Sequence, residues 1–521
     1  MSLKVEVVKH SLLYISEEMG VALRKSAFSP NIRERADHSC AILDWKGRLI
    51  GQAEHIPVHI GSLPHGLKNT LQYLVEKNIE PKPGDMYLVN DPYIAGTHLN
   101  DVTTIRPIFI RDELVAYVAN KAHHVDVGGI DHSSISVRAE SLLQEGLVIP
   151  PVKLMEHDEL NDDIVEIMRN NTRMPHVTLG DLRAQIAANL MGERKIKALI
   201  EKTSLSIFRE AVEEILARTQ KAVEKELAAM QHGRANAEDY LELDDRDLVI
   251  KASVEVSEKG FHVSFDGTHK QVNKPLNAVF GVTIAATTYT LRTLFQSDVL
   301  LNDGFLQTIA VDAPRECLVN PIKPAPVAAG NLETSQRIVD TLYKALAQLF
   351  PDRVPAASNG SMNNLMMGGV HHRTGEPWAF YETIGGGGGA RPGMDGVHGV
   401  HSHMTNTLNT PIEVIEHYYP VLFISYRLRD GTGGEGKWRG GDGIERSIKA
   451  LTTIYATVLG DRGRNKPWGL HGGQPGACSE YLVIKSDGTV IKLGSKVSVV
   501  LEKDDVLVIR TAGGGGYGKK K

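Results

Sequence analysis

Residues 90–105, NDPYIAGTHLNDVTTI, and residues 120–129, NKAHHVDVGG, hold the most informative chemistry in the chain. Together they place His98, Asp101, His123, His124 and Asp126 within 29 residues. Any one of these alone is ordinarily a cap, a turn residue or a satisfied buried polar group. Five together point to a shared site. His98 and Asp101 are three apart, so in a strand they would face opposite ways. In a folded loop both side chains can converge, and Gly96 with the surrounding Asn-Asp pairs favours the loop. One of His123 and His124 would join from the end of the following strand, because adjacent strand residues cannot reach the same ion. Imidazoles with carboxylates suit Zn, Mn or Fe(II) better than Mg or Ca. A fourth ligand has to come from elsewhere. Asp37, in RERADHSCAIL, lies where helical sequence gives way to a strand. Asp126 is either a support for a ligand histidine or a turn residue.

Working outward, 86–90, 103–110 and 113–124 have strand composition, with Arg111-Asp112 as a hairpin turn between the last two. Strands are also expected at 39–44 and 47–51 around Trp45-Lys46-Gly47, and a helix near 64–78. Upstream, Val8, Leu12, Ile15, Met19 and Leu23 recur every three or four residues, the spacing of an amphipathic helix over 5–26. Residues 180–232 are rich in Ala, Leu, Glu, Lys and Arg and predict one long helix, or two broken near Gly192 or Ser204. A helical surface of that size often packs on a partner or another domain. From 248 the text alternates as a β-hairpin. Helices are expected at 275–298 and 333–350, and short strands beyond 375. The class expected is α+β, with a metal-bearing α/β region (1–178), a helical segment (179–247), an α/β middle (248–374) and a β-rich, glycine-rich remainder (375–521).

Composition narrows the function. The chain has 521 residues, enough for more than one core. Apolar residues at 42% and charged residues at 23% are the balance of a soluble globular protein. A net charge of -5 without long like-charge runs gives no electrostatic case for nucleic acid or membrane binding. No apolar run approaches a membrane span, and the first twenty residues predict a helix rather than a signal peptide. Three scattered cysteines, Cys40, Cys317 and Cys478, fit buried thiols in a reducing cytoplasm. The 50 glycines gather late, in 385–393, 431–443 and 513–518, where tight turns are the expected explanation.

The strings GDMYLVNDPYIAGTHLNDVTTI, KAHHVDVGG, GGGGGARPGMDGVHGVHSHMTNTLNTPIEVIE and GEGKWRGGDGIER resemble the hydantoinase B/oxoprolinase family, and the resemblance runs from residue 4 to 518. It implies a metal site made of an aspartate before the first strand, a His-x-x-Asp pair, and a histidine 22 residues after that aspartate. Here those are Asp37, His98 with Asp101, and His123 rather than His124. The resemblance also implies a division of labour. A hydantoinase A-like, actin-fold partner would use ATP and Mg to phosphorylate a cyclic amide. This chain would open the ring with one divalent transition metal, with His124 or Asp126 as base or support. A ketone carboxylase large subunit is the alternative within the family. This length lies nearer the compact hydantoinase subunits. A non-catalytic scaffold with a structural metal is the alternative outside catalysis.

Other motifs are weaker. The run 431–437 has P-loop spacing up to Lys437, but Trp438 stands where Ser or Thr would help hold Mg, so no nucleotide site is expected. Backbone N–H groups of 385–393 with Arg391 could face an anion. His401 and His403, in HGVHSH, are assigned to a substrate or intermediate pocket or to structure.

Overall fold

The computed structural model describes residues 2–53, 55–295 and 299–520. Among the described residues there are twenty strands in four sheets. The first sheet uses β1 (His38–Asp44), β2 (Leu49–Ala53), β3 (Met86–Val89), β4 (Asp101–Ile110), β5 (Glu113–His123), β6 (Val152–Glu156) and β7 (Glu159–Leu160). Its order is β2-β1-β5-β4-β3-β6-β7, antiparallel throughout. Arg111 and Asp112, at φ 50° and 64°, make the expected tight turn between β4 and β5. Gly47, at φ 76°, turns β1 into β2, which delays the second strand to Leu49.

This sheet is buried on both faces, which explains its near-continuous apolar text. Cys40, Ile42 and Val118 enter a core with the helices Ser2–Ser26, Pro175–Thr203 and Leu205–Ala229. Ala41, Leu43, Ile105 and Ala119 enter a second core on the opposite face, under the helix Ser62–Glu76. Strand parity therefore sorts side chains between two environments. The helical stretch breaks at Ser204 (φ 82°, ψ 153°), not at Gly192. Gly192 lies against the first helix instead, where a Cβ would come within 2.5 Å of the Met19 sulfur. The long helices thus spend their apolar faces inside this chain.

A second sheet, β11-β10-β9-β8, comprises β8 (Gly233–Leu243), β9 (Arg246–Ser257), β10 (Gly260–Ser264) and β11 (Ile309–Asp312). The helices Phe280–Arg292 and Glu333–Leu346 accompany it. The first of these starts later than expected. Asn277 holds the preceding loop by bonding both the N–H and the C=O of Val272 (2.8 and 2.7 Å). Residues 296–298 of the expected helix lie outside the described residues.

The last strands are β12 (Asn364–Val370), β13 (Pro377–Glu382), β14 (Val421–Arg429), β15 (Gly443–Ala450), β16 (Ile454–Leu459), β17 (Glu480–Ile484), β18 (Val490–Leu493), β19 (Lys496–Leu501) and β20 (Val506–Arg510). They form two sheets, β13-β12-β16-β19 and β14-β15-β20-β17-β18, which share a core of Leu365, Phe380, Ile448, Val458 and Leu507. The class is α+β, as expected. The largest hydrophobic core collects Val127, Val223, Phe261, Leu342 and Met404, so all four sequence regions contribute to it.

The glycine runs meet the expectation of tight turns only in part, at Gly393, Gly431 and Gly518 (φ 84°, 82° and 74°). Residues 385–389, 433–434 and 513–516 carry no positive φ. They are extended segments stacked backbone to backbone. Gly434 N–H donates to Gly514 O, Gly514 N–H to Gly441 O, and Gly441 N–H to Gly388 O, each at 2.9 Å. A Cβ on Gly514 would lie 2.0 Å from Gly388 O, so the reason for glycine here is close approach rather than turn geometry.

Candidate metal centre

Asp101 opens β4 and His123 closes β5, and the register sets them directly opposite each other. Both have the parity of Ile105 and Ala119, so they leave the sheet on the face of the helix Ser62–Glu76. His98 reaches them from the loop after a short helix, Pro92–Ala95, that ends at Gly96 (φ 86°). Buried Lys121 secures that loop by donating to Ala95 O (2.8 Å) and Thr97 Oγ1 (2.7 Å). Burial brings its ammonium down to about 8, against the pull of Asp101.

The three side chains form a triangle. His98 Nε2 is 3.2 Å from Asp101 Oδ1 and 3.2 Å from His123 Nδ1, and His123 Nδ1 is 3.3 Å from Asp101 Oδ1. All three residues are at most 2% exposed. Ligands about an ion at ~2.0–2.1 Å in tetrahedral geometry stand ~3.3–3.4 Å apart, so the donor spacing and chemistry fit one transition metal. His98 Nδ1–H donates to Ala328 O (3.2 Å), which leaves the Nε2 lone pair facing the triangle. The ring of Tyr381 stacks on His123 at 4.9 Å and 22°.

Charge is balanced across the triangle. Burial opposes ionisation of His98, but Asp101 and then Asp37 outweigh it and raise its pKa. Burial likewise opposes the Asp101 carboxylate, yet His98, His123 and His59 hold it well below the usual range. Burial dominates at His123 and lowers it.

Asp37 lines the same cavity without entering the triangle. Its backbone O accepts from His123 N–H (3.0 Å), and its Oδ2 is 3.8 Å from Arg35 Nη2. His59 is the residue that sequence reasoning missed. Its Nε2 is 3.4 Å from Asp101 Oδ2 and its Nδ1 is 2.9 Å from Ser39 Oγ. It sits in the turn Pro57–His59 between β2 and the next helix, with no fixed spacing to the cluster. The string HIPVHIG, a histidine after a proline in a strand-to-helix link, was the available signal.

The remaining candidates lie elsewhere. His124 has the opposite parity and gives Nε2 to Gln185 Oε1 (2.8 Å) on the helix Pro175–Thr203. Asp126 clamps a loop, accepting from Arg173 N and Nη1 (2.6 Å each) and from Ser134 Oγ (3.2 Å). Neither lines the cavity. Arg391 is exposed and touches Met394 Sδ. His401 pairs with Asn409 Oδ1 (3.3 Å), and burial, then the charge of Arg35, brings it down to about 4. His403 pairs with Asp340 Oδ1 (3.2 Å) beside Tyr343. None of these three lines the cavity that holds the triangle. That cavity leaves about 20 Å³ for the centre of a water-sized sphere, and Tyr381, Met404 and Thr405 are among its other lining residues. It has room for an ion or a water.

The sequence model of the hydantoinase B/oxoprolinase family matches residues 1–520, and this chain belongs to that family. An uncharacterized protein of Methanocaldococcus jannaschii is 50% identical over 514 residues, covering 99% of this chain and 90% of the relative. A putative D-/L-hydantoinase subunit of a Pseudomonas species is 32% identical, covering 99% and 89%. 5-Oxoprolinase 1 of Arabidopsis thaliana is 35% identical over 99% of this chain, which spans 42% of that relative's length. Among solved structures, the ATP-dependent caprolactamase from Pseudomonas jessenii superposes with a TM-score of 0.91 at 26% identity, covering 100% of this chain and 91% of the other.

Proposed function

We propose that this chain is the metal-bearing subunit of an ATP-dependent cyclic amidase, working with a phosphorylating, actin-fold partner. One observation carries the reading: the buried His98–Asp101–His123 triangle, whose donor spacing suits a single divalent ion. Asp37, on the same cavity, is the proposed fourth ligand. The relatives support the substrate class, since a caprolactamase and a 5-oxoprolinase both bear cyclic-amide names. A relative named as one subunit of a hydantoinase, and a 5-oxoprolinase more than twice as long as this chain, support a partner that supplies the rest.

An amide carbonyl is a poor electrophile. In this reading the partner moves the terminal phosphoryl group of ATP onto the lactam oxygen. Water then adds to the activated carbon and the C–N bond breaks, giving a free amine and an acyl phosphate, and a second water hydrolyses the acyl phosphate to carboxylate and phosphate. When bound, a divalent ion supplies Lewis-acid activation at the site. The chain's own residues do the positioning. Ala328 O holds the His98 tautomer, Tyr381 shields His123 from solvent, and His59 with Ser39 holds the outer oxygen of Asp101. A second reading, an ion held only for structure, draws on the small volume of the cavity.

The test is to purify the chain, determine its metal by elemental analysis, and assay it with its partner against 5-oxoproline, hydantoin and caprolactam plus ATP. His98→Ala and His123→Ala are expected to lose metal and ring opening while ATP use by the partner persists at least in part. Unchanged ring opening in metal-depleted variants would refute the catalytic reading in favour of the structural one.

A further inference from the structure

Glu145 ends the short helix Leu142–Glu145 and is 1% exposed. Its Oε1 accepts two backbone N–H groups, from Val327 (2.8 Å) and Ala328 (2.9 Å). Its Oε2 is buried without a hydrogen-bond partner. The carbonyl of the same Ala328 receives His98 Nδ1–H at 3.2 Å. One carboxylate oxygen thus fixes the two amides of a segment whose next carbonyl fixes a ring of the triangle. Neighbouring contacts brace the segment from other sides. Leu142 N–H donates to Pro324 O (2.8 Å), Tyr93 Oη to Ala325 O (2.8 Å), and Asn277 Nδ2 to Pro326 O (2.8 Å).

We propose that Glu145 is a positioning residue for the metal centre: it clamps residues 327–328 so that the Ala328 carbonyl holds His98 in the tautomer that aims Nε2 at the ion. The inference rests on the reading of His98 as a ligand. A ligand histidine commonly gives its second N–H to a carboxylate or a carbonyl, and the group behind it sets ring angle and basicity. Here a backbone carbonyl is inserted between the carboxylate and the ring. Burying a carboxylate is costly unless its oxygens accept hydrogen bonds, and this one spends its paired oxygen wholly on the segment behind His98.

The experiment compares full-length wild type, Glu145→Gln and Glu145→Leu. Zn²⁺ affinity is read by competition with a chromophoric chelator, and the visible spectrum is read after Co²⁺ loading. Glu145→Leu removes the acceptor and is expected to weaken Zn²⁺ binding by about 10- to 100-fold and to alter the Co²⁺ bands. Glu145→Gln keeps an oxygen that can accept both N–H groups and is expected to restore affinity and spectrum. Should the leucine variant fail to fold, Glu145→Asp takes its place, since withdrawing the carboxylate by one methylene is expected to produce the same losses. Wild-type affinity and an unchanged Co²⁺ spectrum in the Leu or Asp variant would overturn the inference, as would a Gln variant no better than Leu. Wild type that binds no Zn²⁺ or Co²⁺ would instead overturn the metal reading itself, which keeps the two failures apart.

Discussion

His123 and His124 are chemically identical neighbours in opposite environments. The parity of β5 sends His123 toward Asp101 and His124 toward Gln185. Spacing within 90–129 showed that one of the pair could join His98 and Asp101, and strand alternation explains why only one does. His59 was not legible, because its approach to Asp101 depends on how β2 hands over to the next helix. His124→Ala is therefore expected to keep the metal while losing about 1–3 kcal/mol of stability, because Gln185 is left facing a void. Elemental analysis beside a thermal melt checks this. Glu333 gives a pH prediction. Burial, against the opposite pull of Lys496, lifts its pKa to about 7, and its Oε1 accepts from Met362 N (3.1 Å) and Asn364 Nδ2 (2.8 Å). The folded pKa lies above the unfolded one. Wild type therefore loses stability as pH rises from about 4.5 through 7, by roughly 3 kcal/mol in full. Glu333→Gln escapes this loss, so its melting temperature relative to wild type is expected to rise between pH 5 and pH 8. A constant difference across that range would contradict the assignment.

At the scale of elements, the N-terminal hairpins were legible because turn chemistry and strand composition agreed. Arg111-Asp112 and Trp45-Lys46-Gly47 stand where the chain reverses. The break at Ser204 was legible only as one of two positions. Gly192 carries the commoner sign of a break, but it serves packing on Met19 instead. The glycine runs were legible only in part for a related reason. Glycine marks both positive φ and close backbone approach, and sequence alone does not separate the two. The stacked segments make a sharp prediction. Gly514→Ala, with a Cβ 2.0 Å from Gly388 O, is expected to cost at least about 3 kcal/mol or to abolish soluble expression. Gly494→Ala, whose Cβ meets nothing within 4 Å, is expected to behave as wild type. Soluble yield and melting temperature of the two variants give the comparison.

At the scale of the molecule, the triangle sits where the first sheet meets later parts of the chain. Asp37, His98, Asp101 and His123 come from the first 123 residues, while Tyr381, Met404 and Thr405 line the same cavity from later in the chain. That contribution was not legible, since nothing in 375–521 carries a spacing tied to the N-terminal motif. The chain spans 42% of a 5-oxoprolinase, and the proposed division of labour places ATP chemistry in a partner. The purified chain alone is accordingly expected to show no ATP-dependent ring opening, and addition of the partner to restore it. The most direct measurement is anomalous diffraction from crystals of the metal-loaded chain. The account predicts one peak within about 2.0–2.3 Å of His98 Nε2, His123 Nδ1 and an Asp101 oxygen, with Asp37 completing the set. Metal bound stoichiometrically elsewhere, or no peak among these side chains after loading, would contradict it.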